Sequence, residues 1–308
     1  MYLLLTTPYK TKMKNQYVGD IGDYGKYSLL RFVALHGIRV GVNWYLTDND
    51  ASSDGKFTDF LKKEAERDFD PYVYDELKII VEMYDRSKRT VQMIQDANLI
   101  PEALYYDKKI DSDGISPMKR AWNRLHWFDH SKSALDDADL IFADPDNGIT
   151  YRKTSRNKGC EKYILPEEIA LYYYSGKDVV FYCHKGRRTT DAWERVILQI
   201  KENICDAKLF MLTFHRGTQR SYIFVVHPEQ AIKYDSLLTE FITTTEWGKK
   251  RAFTRENVTE CEADSTSGIC RMRTGFAGPT IGTTYPKGST VLYNDDGTIT
   301  IVPPLDEE

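Results

Sequence analysis

The connection between two apolar segments late in the chain places the strongest limit on how this sequence can fold. Residues 207–214 (AKLFMLTF) and 221–226 (SYIFVV) both read as buried strands, because they are rich in apolar and aromatic residues. Only six residues, 215–220, separate them. A connection of this length cannot hold a crossover helix, so the two strands are predicted to be antiparallel neighbours in one sheet.

The earlier part of the chain alternates between apolar strands and amphipathic helices. Strands are predicted at 40–46, 103–106, 140–143 and 179–183, and helices at 27–35, 71–83, 86–98, 117–135, 166–174, 191–204 and 231–245. Strands separated by helices indicate a parallel sheet, and the closing hairpin adds a reversed strand. The predicted fold class is therefore α/β, a Rossmann-like, doubly wound and mostly parallel sheet with an antiparallel terminal hairpin.

Composition divides the 308 residues into three parts. Residues 13–253 hold the predicted α/β domain, and residues 1–12 are interpreted as an extension because Met13 directly precedes the first coherent motif. From Thr254 the chain is rich in threonine, glycine, serine and acidic residues and lacks helical periodicity. Residues 254–308 are therefore predicted to be a flexible tail. Its one hairpin pattern pairs 289–293 with 298–302.

The charge and the cysteines narrow the class of protein. A formal net charge of −4 does not indicate a nucleic-acid binder, although a global sum can hide a local basic face. The five cysteines include no CxxC pair, so neither a zinc ribbon nor a disulfide framework is indicated. The opening apolar run is too short for a signal peptide or a membrane span. We expect a cytoplasmic protein with reduced thiols and no membrane partner.

The segment 138–148 (ADLIFADPDNG) is the strongest candidate for a functional site. It is a short apolar strand that ends in Asp144, Pro145, Asp146, Asn147 and Gly148. The carboxyl ends of strands are where α/β folds keep their chemistry. The alternative is an ordinary turn, because aspartate, asparagine, proline and glycine are common between any two elements.

Acidic residues after two neighbouring strands also allow a metal site. Asp48, Asp50 and Asp54 follow the first strand, while Asp144 and Asp146 follow the central strand. Converging carboxylates are what Mg²⁺ or Mn²⁺ requires, and such an ion can activate water against a phosphodiester. His184, just past the next strand, would then serve as an acid or a base. This alternative is a divalent-metal-dependent nuclease or phosphodiesterase.

Basic residues occur on loops that should emerge at the same edge of the sheet. They are Arg152, Lys153, Arg156, Lys158, Lys162, Lys185, Arg187, Arg188, Arg216 and Arg220. Such a set predicts a cationic rim around the central aspartates, for which phosphates are the natural partner. Nucleic acid or a nucleotide is therefore the predicted partner, and a binding module without catalysis remains an alternative. The plainer interpretation is a solvated run of charge.

Two motifs resemble known proteins. NQYVGDIGDYGKYSLLR at 15–31, taken with DPDNG at 144–148, resembles an uncharacterised family of bacterial and phage proteins. More distantly, the first motif is similar to the segment that opens the ribosomal RNA adenine-N6 methyltransferases, which are class I enzymes. Gly19, Asp23 and Lys26 fall on the glycine, aspartate and lysine of that segment, while Asp20 and Tyr27 replace its asparagine and final histidine.

The second resemblance implies S-adenosylmethionine as cofactor, because in those enzymes the segment lies over the methyl-donor site. The candidate cofactor-binding residues are Tyr17, Gly19, Asp20, Asp23, Lys26, Asp48 and Asp50. The first strand runs into Thr47-Asp48-Asn49-Asp50, and no glycine-rich turn follows Leu46.

The resemblance also assigns a role to the central aspartate. Asp144 and Pro145 fall on the first two positions of the DPPY motif, in which the aspartate accepts a hydrogen bond from the amine of a flipped base. Asp146 and Asn147 replace its second proline and its aromatic residue, so either another ring, with Tyr151 as the candidate, provides the stacking surface, or that surface is absent. The catalytic candidates are Asp144, Asp146, Asn147 and His184. The predicted function is that of a divergent or degenerate methyltransferase-like protein acting on nucleic acid.

Overall fold

The computed structural model of this chain describes residues 15–47, 55–186, 188–256, 290–293 and 299–302. The strands are β1 (Val40–Asn43), β2 (Leu104–Tyr106), β3 (Leu140–Ala143), β4 (Asp178–Cys183), β5 (Lys208–Phe214), β6 (Arg220–Val226), β7 (Phe253–Glu256), β8 (Thr290–Tyr293) and β9 (Ile299–Val302). The helices are α1 (Ile21–Leu35), α2 (Pro71–Met83), α3 (Val91–Asp96), α4 (Pro117–Ala134), α5 (Pro166–Tyr174), α6 (Thr190–Asn203), α7 (Ala231–Thr244) and α8 (Glu246–Lys249).

The described residues form an α/β fold around a seven-stranded mixed sheet of order β2-β1-β3-β4-β6-β5-β7. The strands β1 to β4 are mutually parallel, and β6 is antiparallel to both β4 and β5. The predicted closing hairpin is therefore confirmed as β5 and β6. The hairpin predicted in the tail is also found, as the pair β8 and β9.

Helices cover both faces of the sheet and create two apolar cores. The first core holds side chains of α1, α2, α3 and α7, and the second holds side chains of α4, α5 and α6. In β3, Leu140 and Phe142 enter the first core while Ile141 and Ala143 enter the second. A strand that is buried on both faces must be apolar at every position, which explains the unbroken run in the sequence. Of the helices that the structure describes, none has an apolar stretch of the length that crossing a membrane requires.

Three elements differ from their predicted bounds by more than one residue. Helix α1 begins at Ile21, six residues before the predicted start, because its first turns bury glycines and charged residues that periodicity does not detect. Strand β1 ends at Asn43, since Tyr45 turns the chain with a φ of 47°. Residues 86–98 contain only the short helix α3 and a 3₁₀ turn, so the long helix predicted there was wrong.

The sheet also continues past the predicted start of the tail. Strand β7 pairs antiparallel with β5 and extends to Glu256. The sequence FTRE carries no apolar run, so nothing local in it indicates a strand.

Candidate functional site

A buried ion-pair cluster joins the first motif to the central aspartate. The Nζ atom of Lys26 on α1 lies 2.7 Å from Asp144 Oδ2 and 2.7 Å from Asp23 Oδ1. We call these three residues the Lys26 cluster, and each is almost fully buried. Burial acts to lower the pKa of Lys26, but the charges of Asp144 and Asp23 outweigh it and hold that pKa well above its usual value. Lys26 therefore remains charged inside the protein.

The two carboxylates of the cluster lose contact with water on burial, and hydrogen bonds from neighbouring groups partly compensate for this loss. Asp23 Oδ2 accepts a hydrogen bond from the Gly19 amide, while the Asp23 amide donates to Asp20 Oδ1, the N-cap of α1. Burial raises the pKa of Asp23 to about 6, with a further contribution from the charge of Asp20 and opposition from Lys26. Burial also raises the pKa of Asp144, against the effect of Lys26. Both carboxyl groups therefore take up protons more readily than exposed aspartates.

A chain of hydrogen bonds lies beside the Lys26 cluster. Arg220 Nε donates to Tyr182 Oη at 3.2 Å, and Tyr182 Oη lies 2.5 Å from His184 Nε2. His184 Nδ1 lies 3.4 Å from the Gln219 carbonyl oxygen, which can only accept, so we assign the ring proton to Nδ1. Burial and the charge of Arg220 lower the pKa of His184, which favours this neutral form. The sequence indicated His184 but not its partners.

Arg220 connects this chain to the start of α1. Its Nη2 atom lies 3.8 Å from Asp20 Oδ2, and its guanidinium packs over Gly22. A β-carbon at Gly22 would lie 2.5 Å from Arg220 Cζ, and one at Gly25 would lie 2.6 Å from a ring carbon of Phe214. These glycines therefore permit close packing of α1 against the β5–β6 hairpin.

The DPDNG turn is fixed by its neighbours on both sides. The Asp144 amide donates to the Asn43 carbonyl at the end of β1. The Asn147 amide donates to the Lys162 carbonyl, and Ile164 returns a bond to Gly148. Asp146 is buried and Asn147 is half-buried. Backbone hydrogen bonds thus fix the turn at the carboxyl end of the central strands, where the sequence also allowed an ordinary turn.

A second buried ion pair, which the sequence did not indicate, anchors the loop after DPDNG. Arg124 on α4 forms two hydrogen bonds to Glu168 on α5, at 2.7 Å and 2.8 Å. The same guanidinium donates to the carbonyl oxygens of Cys160 and Tyr163. Tyr45, which follows β1, donates to Glu168 as well. One buried charge pair therefore holds together α4, α5, the loop at 160–163 and the segment that follows β1.

The basic residues predicted to form a rim have different environments. Arg152, Arg156, Lys158 and Arg188 are exposed, and Lys153 and Lys185 are half-buried. Arg188 Nη1 donates to the carbonyl oxygens of His184 and Lys185, which places a cation beside the histidine.

Three other members of the predicted rim do not lie free at the surface. Lys162 is buried, so its side chain is not part of an exposed rim. Arg216 pairs with Glu66, and Arg220 is held by Asp20 and Tyr182. These corrections confine the rim to the loops after β3 and β4. Arg187 lies outside the described residues.

Two of the remaining candidates have contacts in other parts of the fold, and three lie outside the described residues. Tyr151 donates to the Val196 carbonyl on α6, and its ring packs against the second core. Tyr17 belongs to the packed edge of the first core. The acidic residues Asp48, Asp50 and Asp54 lie outside the described residues. Within the described ranges, no group of three histidine, cysteine or acidic residues could hold a metal ion.

Comparison with models of known protein families gave no match, and comparison with curated proteins also gave none.

Proposed function

We propose that this chain is a class I methyltransferase-like enzyme that uses S-adenosylmethionine and acts on nucleic acid. The position of Asp144 in the sheet carries the proposal. From β1 the chain crosses to β2 on one side and then returns past β1 to β3 on the other, so the strand order reverses between β1 and β3. Asp144 directly follows β3 and its amide bonds to the last residue of β1. Ligands of open α/β sheets bind outside the carboxyl ends of the strands at such a point.

Two features near this point support the assignment of a methyl-donor site. Asp107 directly follows β2 and its side chain is 33% exposed, at the position where dinucleotide-binding α/β folds keep an acid for the ribose hydroxyls. After β1, Tyr45 adopts the left-handed backbone conformation that glycine usually supplies in a sharp turn. We therefore assign Asp107 to the ribose and the backbone that follows β1 to the rest of the donor.

Asp144 is assigned to the exocyclic amine of the substrate base. The donor, when bound, supplies an electrophilic methyl group. Lys26 donates to Oδ2 of Asp144, so Oδ1 is the atom assigned to the amine. The raised pKa of Asp144 suits it to accept a proton as the amine is methylated. Because Asp144 is only 3% exposed, a base can reach it only after covering groups move.

The phosphates of the substrate are assigned to the exposed part of the rim. Arg152, Arg156 and Arg188 follow β3 and β4, which are the strands that lead to Asp144 and His184. One guanidinium group can bind two phosphate oxygens at once, and such contacts position a nucleic acid without reading its sequence.

The test combines donor binding with methyl transfer. Calorimetry with S-adenosylmethionine and S-adenosylhomocysteine is followed by transfer of a labelled methyl group to RNA and DNA. Asp107→Asn should weaken donor binding by about tenfold, because it removes one charge-assisted hydrogen bond. Asp144→Asn should retain donor binding and lower transfer by about 100-fold or more. Asp137→Asn, an exposed carboxylate of similar size, serves as the control and should change neither.

Three other outcomes would contradict the proposal. A folded protein that binds neither compound is not a methyltransferase. A thermal shift with Mn²⁺ that disappears in Asp144→Ala or Asp146→Ala would favour the metal-dependent hydrolase instead. Binding of phosphate-rich ligands without turnover, with affinity that falls steeply with salt, would favour the binding module.

A further inference from the structure

A cationic pocket lies outside the Lys26 cluster, between the end of α2 and the segment that leads to α3. Its volume is about 380 Å³, and its lining includes Met83, Tyr84, Arg86, Lys88 and Arg89. This volume lies in the range of small-molecule sites.

Arg89 is the unusual member of the pocket. It is only 7% exposed, yet its guanidinium donates to two backbone carbonyls, those of Tyr84 and Val18. It forms no ion pair with any carboxylate of the described residues. The other arginine that is buried within the described part of the chain, Arg124, has Glu168 as its counter-ion. A buried charge without a counter-ion costs free energy. The position of Arg89 therefore indicates a site for an anion that comes from outside the chain.

The surrounding charges favour an anion at the same place. Burial and the positive charge of Arg86 lower the pKa of Arg89, and Asp85 only partly opposes them. Among the lining residues three are cationic and two, Glu82 and Asp85, are acidic, and both acids are exposed. A bound anion would relieve the repulsion between the two guanidinium groups.

We propose that this pocket binds the phosphate group of a nucleotide. The planar fork of Arg89 and the point charge of Lys88 suit phosphate oxygens. The Tyr84 side chain is 38% exposed and Met83 is 68% exposed, so an aromatic ring and a flexible apolar chain lie next to the cations. A nucleobase can stack on such a ring whatever its identity. The occupant is thus a free mononucleotide or one nucleotide of a strand.

The lining of the pocket includes none of the residues that we assign to the methyl donor. Arg89 binds the carbonyl of Val18, two residues before the cap of α1, while Asp107 follows β2. The proposal therefore does not depend on methyl transfer.

The test uses calorimetry on the full chain with AMP, inorganic phosphate and adenosine. AMP should bind more tightly than phosphate, and adenosine should bind weakest. Arg89→Met should weaken AMP and phosphate by about tenfold or more, and Lys88→Gln by roughly threefold. Tyr84→Ala keeps the backbone carbonyl that holds Arg89, so it should weaken AMP but leave phosphate unchanged. Lys233→Gln on the exposed face of α7 makes the same charge change and should alter nothing.

Two further measurements make the result decisive. S-adenosylhomocysteine and the Asp107→Asn change should leave AMP binding unaltered; competition by the former or loss with the latter would place AMP in the donor site and overturn the proposal. Absence of binding by AMP and phosphate overturns it, as does wild-type affinity in Arg89→Met. If Arg89→Met does not fold, the exposed Lys88→Gln and Tyr84→Ala variants decide the question alone. A short oligonucleotide that binds much more tightly than AMP, with the same variant pattern, identifies a strand as the source.

Discussion

Gly148 and Gly176 have nearly the same backbone conformation in different surroundings. Their φ angles are 80° and 81°. A β-carbon on Gly148 would lie 2.8 Å from the Cα atom of Cys183, whereas one on Gly176 would meet nothing within 4 Å. Gly176→Ala should therefore cost only the strain of a left-handed alanine, roughly 1–2 kcal/mol. Gly148→Ala should cost about 3 kcal/mol or more, since overpacking adds to that strain.

Urea denaturation of the two alanine variants measures this difference. Both substitutions add one methyl group at a positive φ, so the strain cancels between them. Equal free energies of unfolding would mean that the turn can move away from Cys183. The DPDNG turn would then not be fixed as its hydrogen bonds indicate.

The protonation of Asp23 should make stability depend on pH. Its pKa of about 6 in the folded protein lies above the usual value of 3.8, so the folded state binds the proton more tightly than the unfolded state. This contribution is fully present below pH 4 and is lost as the pH rises through 6. Relative to Asp23→Asn, the wild type should therefore lose up to about 3 kcal/mol of unfolding free energy between pH 4 and pH 7.

Denaturation of the two proteins across this pH range tests the assignment. The free energy of unfolding of the wild type must be compared with that of Asp23→Asn, because other groups titrate in the same pH range. The lowered pKa of His184 makes stability rise with pH, which is opposite to the effect of Asp23. The exposed carboxylate of Asp137 offers a control, since Asp137→Asn should leave the pH profile as it is. A constant difference between wild type and Asp23→Asn would show that Asp23 is ionised throughout.

Only part of the site could be predicted at the level of residues. Asp144 was indicated because an apolar run ends there, and that is a local signal. The bond from Lys26 to Asp144 joins residues 118 positions apart, so no spacing rule reveals it. Arg89 looks like any surface cation in the sequence SKRT, because its burial depends on the chain around it.

At the level of elements, the Arg124–Glu168 pair should stabilise the loop that follows DPDNG. Arg124→Met leaves Glu168 buried without a cation, so it should cost about 3–5 kcal/mol. Arg124→Met with Glu168→Gln removes the stranded charge and should regain part of that loss. The exposed pair Arg67–Asp75 has the same two-bond geometry at the surface, so Arg67→Met should destabilise the protein far less than Arg124→Met.

Chemical denaturation and hydrogen exchange together test whether the Arg124–Glu168 pair stabilises this loop. Arg124→Met should also speed exchange of the Ile164 amide, which bonds to Gly148. A stability loss without faster exchange there would mean that the pair supports α4 and α5 but not the loop.

The accuracy of the predicted elements follows from the kind of signal each carries. Helices α2 and α5 match their predicted bounds, since both begin with a proline in the first turn and show helical periodicity. The first turns of α1 were missed because Gly22, Gly25 and the buried charges break that periodicity. They are helical because they pack against Arg220 and Phe214, and a sequence window does not contain those partners.

At the level of the whole molecule, β7 closes one edge of the sheet. It pairs with β5 over four residues, and Phe253 is buried against the rings of Phe214, Tyr222, Phe241 and Trp247. Those rings belong to the first core, which also contains Tyr24 and Tyr27 of α1. The last strand of the sheet therefore supports the same core as the helix that carries the Lys26 cluster.

This contact predicts where the chain can be shortened. A chain that stops after Glu256 keeps β7 and the ring contacts of Phe253, so it keeps their contribution to stability. A chain that stops after Ala252 loses the burial of Phe253 and exposes the edge of β5, so it should lose about 3–5 kcal/mol or more. For a domain of this size that corresponds to a decrease of roughly 10 °C in Tm.

Differential scanning fluorimetry and light scattering of the two shortened chains test this boundary. The chains differ by only four residues, so length and composition cannot explain a large difference between them. Because β5 would present an open strand edge, the shorter chain should also self-associate as its concentration rises. Equal melting and equal association would mean that β7 contributes nothing and that the folded unit ends before Phe253. A large difference would instead extend the folded unit to Glu256, three residues beyond the boundary predicted from composition.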